Sequence, residues 1–174
     1  NEVSKALKKF RFPMQKIYLN KRAYSRLLTR NDKLKENLYT EKMTELLAPA
    51  GNIEALDAAI GEGADAVYMG LKSFNARLRS SNFAWNQFEA AVQSVHRLGK
   101  KIYVTVNTVC EENETERLYR FLSYLNKIGP DGIIVQDFGV IRMCQEFFPD
   151  LELHASTQMN VESAAAANLL CKQG

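Results

Sequence analysis

A run of polar residues from His154 to Asn160 closes a short apolar segment, and it is the part of this sequence best suited to chemistry. A histidine can act as a general acid or base near pH 7, and hydroxyl and amide side chains hold substrates through hydrogen bonds. His154 is therefore a candidate catalytic residue, although a strand histidine whose ring orients its neighbours fits the same pattern. The candidate substrate-binding residues in this run are Ser156, Thr157, Gln158 and Asn160.

Polar side chains also follow three other apolar runs. Asn107 comes after one run, Gln136 and Asp137 come after the next, and a loop further upstream carries Asn75 and Arg77. Both asparagines, Gln136 and Arg77 are predicted to bind substrate, because amides form hydrogen bonds and an arginine can clamp a carboxylate or phosphate. Alternatively, this loop packs against the fold itself and the guanidinium group of Arg77 is exposed to solvent. Asp137 is a second candidate catalytic residue, or the cap of the following helix.

The elements that must position these residues alternate between strands and helices. Five apolar runs predict strands at 44–48, 66–70, 101–106, 132–136 and 151–155, and a helical pattern follows each of them. The fourth run is continuously apolar from Gly132 to Val135, which indicates a strand buried on both faces of a parallel sheet. Asn52 is the predicted cap of the first helix. The helix residues predicted to face the sheet are Ile53, Leu56, Ile60, Phe88, Val92, Val95, Leu118, Leu122, Leu125, Val140, Ile141 and Cys144.

Five such units point to part of a (β/α)₈ barrel of the TIM type. A closed barrel takes about 250 residues, whereas residues 43–174 number 174 − 43 + 1 = 132. We therefore predict an α/β fold, an incomplete barrel of five βα units, in which the carboxyl ends of the strands converge on one mouth. The alternative is an open, doubly wound five-stranded sheet, which would need a reversal in the order of its strands.

Charge divides the chain near Met43. Residues 1–42 hold 12 Lys and Arg against 4 Asp and Glu, a balance of +8, and residues 43–174 hold 11 against 16, a balance of −5. We predict a basic, mainly helical extension over 1–42 and a barrel segment over 43–174. The extension could contact nucleic acid or an anionic surface. It could instead be a solvated arm, the remnant of an upstream domain, or sequence that precedes a true start at Met43.

Composition and motifs exclude several classes of protein. No apolar stretch approaches the roughly 20 residues that cross a bilayer, so no membrane span is expected. Three scattered cysteines without a secretory signal favour the cytoplasm. The sequence has no P-loop, no H-E-x-x-H and no cysteine pair at metal-ligand spacing, so no metal site is predicted. Cys144 is expected in the core, and Cys110 is expected to fill space or to reach substrate.

Six motifs occur in one order from Met43 onward. They are ELLAPAGN at 45–52, GADAVYMG at 63–70, FNAR at 74–77, VTVNT at 104–108, IVQD at 134–137 and HASTQMN at 154–160. In this combination the sequence resembles peptidase family U32, which includes collagenase-like peptidases. The resemblance covers residues 43–174 and none of residues 1–42.

The resemblance implies a barrel whose later half carries signature cysteines, which hold a four-iron, four-sulfur cluster in several members. Cys110, Cys144 and Cys171 do not match those cysteines, so no cofactor is expected within this chain. Some members are named peptidases, and others support oxygen-independent hydroxylation of tRNA, rRNA or a quinone precursor. We predict a fragment of such a hydroxylation enzyme, with a collagenase-like peptidase and a non-catalytic remnant as alternatives. Expected partners are RNA or an anionic small molecule such as prephenate, and the missing barrel half or a second copy.

Overall fold

The apolar runs of the sequence form five strands, and a helix follows each strand along the chain. The computed structural model describes residues 44–76 and 82–171. The strands are β1 (Leu47–Pro49), β2 (Ala66–Gly70), β3 (Lys101–Val106), β4 (Gly132–Val135) and β5 (Leu153–Ala155). The helices are α1 (Ile53–Gly61), α2 (Trp85–Arg97), α3 (Thr115–Ile128), α4 (Phe138–Phe147) and α5 (Ala164–Cys171).

The order of the strands in the sheet is the order in the chain. The sheet runs β1-β2-β3-β4-β5, and each neighbouring pair is parallel. A doubly wound sheet requires a reversal of strand order, and these five strands show none, so that alternative is wrong. The described strands form an arc that does not close on itself. This confirms the predicted incomplete barrel.

The core lies between the outer face of this arc and the helices. Side chains alternate between the two faces of a strand, and the outward residues, such as Val104 of β3 and Ile133 of β4, are fully buried. The predicted inward-facing helix residues are mostly confirmed. Ile53 is an exception, because its side chain is 44% exposed at the first position of α1. The buried ones are Leu56, Phe88, Val92, Val95, Leu118, Leu122, Leu125, Val140, Ile141 and Cys144.

Side-chain caps determine where several elements begin. Asn52 caps α1 as predicted, because its Oδ1 accepts a hydrogen bond from the backbone N–H of Ala55 at 2.8 Å. The first strand begins at Leu47, later than predicted, since the N–H of Leu46 is bound by the Asp65 carboxylate at 2.9 Å. Helix α5 begins at Ala164. The preceding residue, Ser163, caps it, because its hydroxyl accepts a hydrogen bond from the backbone N–H of Ala166. The element types were predictable, and these boundaries depend on individual side chains.

Two predictions fall partly or wholly outside the described residues. The basic extension over 1–42 lies there, so the domain boundary near Met43 stays a prediction. Arg77 also lies outside the described residues. Within the part of the chain that the structure describes, no helix has the length and apolar character needed to cross a membrane.

Candidate functional site

The inner face of the arc presents its side chains in rows, because neighbouring strands are in register. Gly70, Thr105, Ile134 and His154 are register partners and form a middle row. The lower row, toward the amino ends of the strands, contains Tyr68, Tyr103 and Gly132. Two residues beyond the middle row, alternation along the strands places Asn107, Gln136 and Ser156 at the carboxyl ends. We call these three residues the mouth row.

The mouth row continues the ladder of the sheet beyond the strands. Asn107 and Gln136 follow Val106 and Val135, which pair in register, and the N–H of Ser156 donates to the carbonyl oxygen of Val135 at 2.8 Å. Three residues that are far apart in sequence therefore lie side by side at the carboxyl ends of β3, β4 and β5. In barrels of this type, this end of the strands carries the active site.

Asn75 is buried within the arc instead of facing the open mouth. Its side chain is 3% exposed and lies against Gly70, where a Cβ would overlap the Asn75 amide. Its Nδ2 donates to Asn82 Oδ1 at 2.6 Å, and its Oδ1 accepts from the Thr105 hydroxyl at 3.2 Å. The Asn75 amide is thus engaged by the protein, and its predicted contact with substrate stays a prediction.

The side chain of Asn107 forms a hydrogen bond with the loop that follows β2. Its Oδ1 accepts from the N–H of Ala76 at 3.2 Å. On the far side of the loop, the N–H of Phe83 donates to the carbonyl oxygen of Gly70 at 3.1 Å. The loop is therefore attached to the carboxyl ends of β2 and β3 on both sides of residues 77–81.

The run from Ser156 to Asn160 forms a single 3₁₀ turn at the same end of the sheet. The Ser156 side chain is buried, and its hydroxyl accepts from the N–H of Gln158 at 3.3 Å. Thr157 and Gln158 are exposed, and the turn ends at Asn160, which has a left-handed backbone with φ of +52°. Ser156 therefore caps the turn, and the turn presents exposed hydroxyl and amide groups beside the mouth row.

Asp137 caps helix α4. Its Oδ1 accepts from the backbone N–H of Gly139 at 2.7 Å and from that of Val140 at 3.1 Å. These contacts satisfy two donors of the first helical turn, which otherwise have no partner within a helix. The capping interpretation is confirmed, and the catalytic role of Asp137 stays a prediction.

His154 faces the lower row and not the mouth row. Its imidazole is edge-on to the ring of Tyr103, with 4.7 Å between the ring centroids, and it lies over Gly132. Its Nε2 is 3.0 Å from Glu152 Oε1, and its side chain is 18% exposed. The structure therefore separates the ring of His154 from the mouth row.

The lower row is part of a charged cluster that sequence reasoning missed. The phenol of Tyr103 donates to Glu45 Oε1 at 3.1 Å, and Lys101 Nζ lies 2.8 Å from Glu45 Oε2. Burial, followed by the negative charge of Glu45, raises the pKa of Tyr103 well above its usual range. The hydrogen bond to Glu45 raises the pKa of Lys101. Tyr103 thus stays a neutral donor.

Cys110 and Cys144 are not activated as nucleophiles or metal ligands. Cys144 lies in the apolar core, where burial raises its pKa to about 12. Burial, with the charges of Asp137 and Glu114, raises the pKa of Cys110 to about 11. Both residues are thiols at neutral pH, and the thiolate is the form that attacks substrates or binds metals. No group of three or more His, Cys, Asp or Glu within residues 44–76 and 82–171 could hold a metal ion.

A parallel arc of βα units with polar residues at the carboxyl ends of its strands is typical of enzymes with the TIM-barrel architecture. The sequence model of Peptidase family U32 matches residues 51–174. The chain belongs to this family.

Three curated relatives show which activities occur in similar proteins. The "Uncharacterized protease MJ0090" of Methanocaldococcus jannaschii is 37% identical over 75% of this chain. In Escherichia coli, tRNA hydroxylation protein P is 34% identical and a 23S rRNA 5-hydroxycytidine synthase is 39% identical, each over 75% of this chain. The matches cover 31%, 29% and 19% of these proteins, so this chain spans less than a third of their length.

A solved structure supports the fold. The U32 peptidase Mk0906 superimposes with a TM-score of 0.60 and 17% sequence identity, over 76% of this chain and 56% of that chain. At this level of identity the likeness concerns the fold alone, and it agrees with an arc that forms part of a larger barrel.

Proposed function

We propose that this chain forms part of the barrel of an enzyme that hydroxylates tRNA or rRNA without molecular oxygen. The observation that carries the proposal is the mouth row, Asn107, Gln136 and Ser156, in a chain that is 34% identical to a tRNA hydroxylation protein. Amide and hydroxyl groups at the carboxyl ends of barrel strands are suited to holding a polar substrate. A quinone precursor is the alternative substrate that the family resemblance implies.

The proposal assigns different roles to the predicted site residues. The mouth row and the exposed turn at Thr157 and Gln158 bind the substrate, which is RNA or an anionic cosubstrate such as prephenate. Asn160 ends this turn. Arg77 follows Ala76 in the chain, outside the described residues, and we propose that its guanidinium group binds a carboxylate or phosphate. His154 orients the lower row. The proposed location is the cytoplasm, where tRNA and ribosomes occur.

An iron–sulfur cluster, if the enzyme uses one, is held outside the described residues. Cluster ligands are thiolates gathered at one point. Cys144 is enclosed in the apolar core, Cys110 is held as a thiol by burial, and Cys171 lies on α5. The described residues therefore do not fit a cluster. We place its ligands in the part of the full-length protein that this chain does not span, together with the strands that would complete the barrel.

Peptidase activity has less support from the described residues. A peptidase needs an activated nucleophile or a metal-bound water. The hydroxyl of Ser156 caps a turn, and the thiols of Cys110 and Cys144 have raised pKa values. No observation on the described residues favours cleavage of a peptide bond.

Deletion of the gene for the full-length protein tests the proposal. We expect hydroxylated nucleosides to disappear from tRNA or rRNA, measured by mass spectrometry of digested RNA, and to return when the wild-type gene is restored. A Gln136→Ala variant should restore much less, whereas Asn126→Ala, an exposed position on α3, should restore fully. Unchanged RNA after deletion would overturn the proposal. Cleavage of denatured collagen by the purified protein, lost in His154→Ala, would replace it with a peptidase.

A further inference from the structure

A ring of hydrogen bonds joins β3 to the loop that follows β2. The hydroxyl of Thr105 shares its one proton between Asn75 Oδ1 at 3.2 Å and the carbonyl oxygen of Met69 at 3.1 Å. The next peptide N–H after Asn75, that of Ala76, donates to Asn107 Oδ1 at 3.2 Å. Thr105 and Asn107 are two residues apart and so lie on the same face of the sheet. The ring closes through the backbone between these two residues. It fixes the side chain of Asn107 relative to β3.

The ring determines which atom of Asn107 meets the loop. A backbone N–H can only donate, so the Asn107 atom opposite Ala76 must be the carbonyl oxygen Oδ1 and not the amide nitrogen. The amide nitrogen Nδ2, which can only donate, is then directed elsewhere. Asn107 is half-buried, and its Oδ1 contact is the one hydrogen bond of this side chain within the described ranges.

Burying the polar side chains of this ring has a free-energy cost, which argues that the ring has a specific role at this site. A buried polar side chain is unfavourable unless it is hydrogen-bonded. Apart from the phenol of Tyr103, the buried polar side chains among the described residues are Asn75, Thr105 and Ser156, with exposed fractions of 3%, 8% and 5%. Thr105 and Ser156 lie near the carboxyl ends of β3 and β5, and Asn75 packs against Gly70 at the end of β2. Gly70 must in addition lack a side chain, because a Cβ there would overlap the Asn75 amide.

We propose that Asn107 donates a hydrogen bond from Nδ2 to an oxyanion of the substrate, a carboxylate or phosphate oxygen, and that Thr105 and Asn75 are positioning residues for it. This inference rests on the proposed function and specifies how that site recognises an anionic group. Gln136 is the next residue of the mouth row, on a strand about 4.8 Å away. A two-oxygen group can therefore reach both amides.

Binding of simple anions to the full-length protein tests the inference. Calorimetric titrations with malonate and with inorganic phosphate determine which oxyanion the site takes. In Asn107→Asp, one oxygen can still accept from Ala76, while the donor is replaced by a charged acceptor. We expect binding to weaken about ten- to hundredfold. Asn126→Asp introduces the same charge on the exposed face of α3 and should bind like the wild type.

The positioning residues need a separate pair of variants. Thr105→Val removes the hydroxyl with little change in shape and should weaken binding several-fold, and Thr105→Ser should restore it. If Thr105→Val unfolds in a thermal melt, Asn82→Ala loosens Asn75 from the other side and should weaken binding in the same way. A purely structural role predicts equal binding by every variant that stays folded.

Several results would overturn the inference. The first is that the wild-type protein binds neither anion. The second is that Asn107→Asp binds anions as tightly as the wild type, and the third is that Thr105→Val and Thr105→Ser bind them equally. RNA hydroxylation is scored separately in the deletion strain. Unchanged RNA combined with anion binding that depends on Asn107 would reject the proposed function alone. If RNA hydroxylation is lost on deletion but anion binding is the same in Asn107→Asp and the wild type, this inference alone would be rejected.

Discussion

The imidazole of His154 packs edge-on against the phenol ring of Tyr103, with 4.7 Å between the ring centroids. The two residues lie on β5 and β3, which are separated by β4. They meet because β4 has Gly132 between them, where a Cβ would lie 2.8 Å from His154 Nε2. This arrangement favours the orienting role of His154 over a role at the mouth row.

Gly132→Ala should destabilise the protein by about 1–3 kcal/mol, the usual cost of overpacking. The new methyl group would lie 2.8 Å from His154 Nε2 and 2.9 Å from the carbonyl oxygen of Glu152, which accepts the Ile133 N–H. Urea unfolding measures the change, as a lower midpoint with an unchanged slope. Gly61→Ala is the matched control, because nothing lies within 4 Å of a Cβ there. Equal midpoints for the two variants would contradict the prediction.

The stability of the protein should fall more steeply at alkaline pH because of Tyr103. Burial and the Glu45 carboxylate raise the pKa of Tyr103 in the folded state above its ordinary value of 10.0. Below about pH 10 the phenol is protonated in both states, so its contribution is fully present. Above that pH the unfolded chain releases a proton that the folded protein retains, and stability is lost as the pH rises.

Tyr103→Phe should therefore lose less stability than the wild type between about pH 10 and about pH 11, although it is less stable by about 1 kcal/mol at neutral pH, where it lacks the hydrogen bond to Glu45. Urea unfolding at a series of pH values gives both quantities. Tyr119→Phe, on the exposed face of α3, should follow the wild-type curve. The same alkaline slope in Tyr103→Phe and the wild type would refute the argument.

Periodicity in the sequence was sufficient to predict the arc and the mouth row. Strands that alternate with helical patterns predict parallel order, and residues that follow strand ends in a barrel must share one end. Asn107, Gln136 and Ser156 are adjacent for this reason. Thr105 could have been predicted too, since it lies two residues before Asn107 and therefore on the same face. Thr105 was not predicted, because only residues that follow strand ends were considered as candidates and Thr105 lies within β3.

The direction of His154 and the burial of Asn75 could not be predicted from local pattern. Each depends on a glycine: Gly132 on the neighbouring strand β4 for the histidine, and Gly70 at the end of β2 for the asparagine. A sequence shows that a glycine is present but not which side chain occupies the space beside it. The bond between Asn75 and Asn82 likewise joins two ends of a loop for which spacing gives no signal.

Gly70 and Asn75 should show strong coupling in a double-mutant cycle. Gly70→Ala alone drives the Asn75 amide out of its buried position, and Asn75→Ala alone leaves a space. In the double variant the new methyl group partly fills that space, so its loss of unfolding free energy should be smaller than the sum by about 1 kcal/mol or more. Gly51→Ala, where nothing lies within 4 Å of a Cβ, should combine additively with Asn75→Ala. Additivity in the Gly70 pair would refute the packing argument.

Variants of Asp137 can separate capping from catalysis. Asp137→Ala removes the acceptor for the N–H groups of Gly139 and Val140, and it should cost about 1 kcal/mol of unfolding free energy, as is usual for a lost cap. Asp137→Asn keeps an acceptor oxygen in place, so it should stay nearly as stable as the wild type. Asp150→Ala, an exposed position beyond α4, should leave stability unchanged.

The same variants, placed in the full-length protein, decide whether the carboxylate also takes part in the reaction. If Asp137 only caps α4, Asp137→Asn should support RNA hydroxylation at the wild-type level in the deletion strain. If it exchanges a proton with the substrate, Asp137→Asn should fold normally and lose hydroxylation, because an amide cannot take up the proton. A stable but inactive Asp137→Asn protein would therefore assign catalysis to Asp137, since the cap itself would be intact.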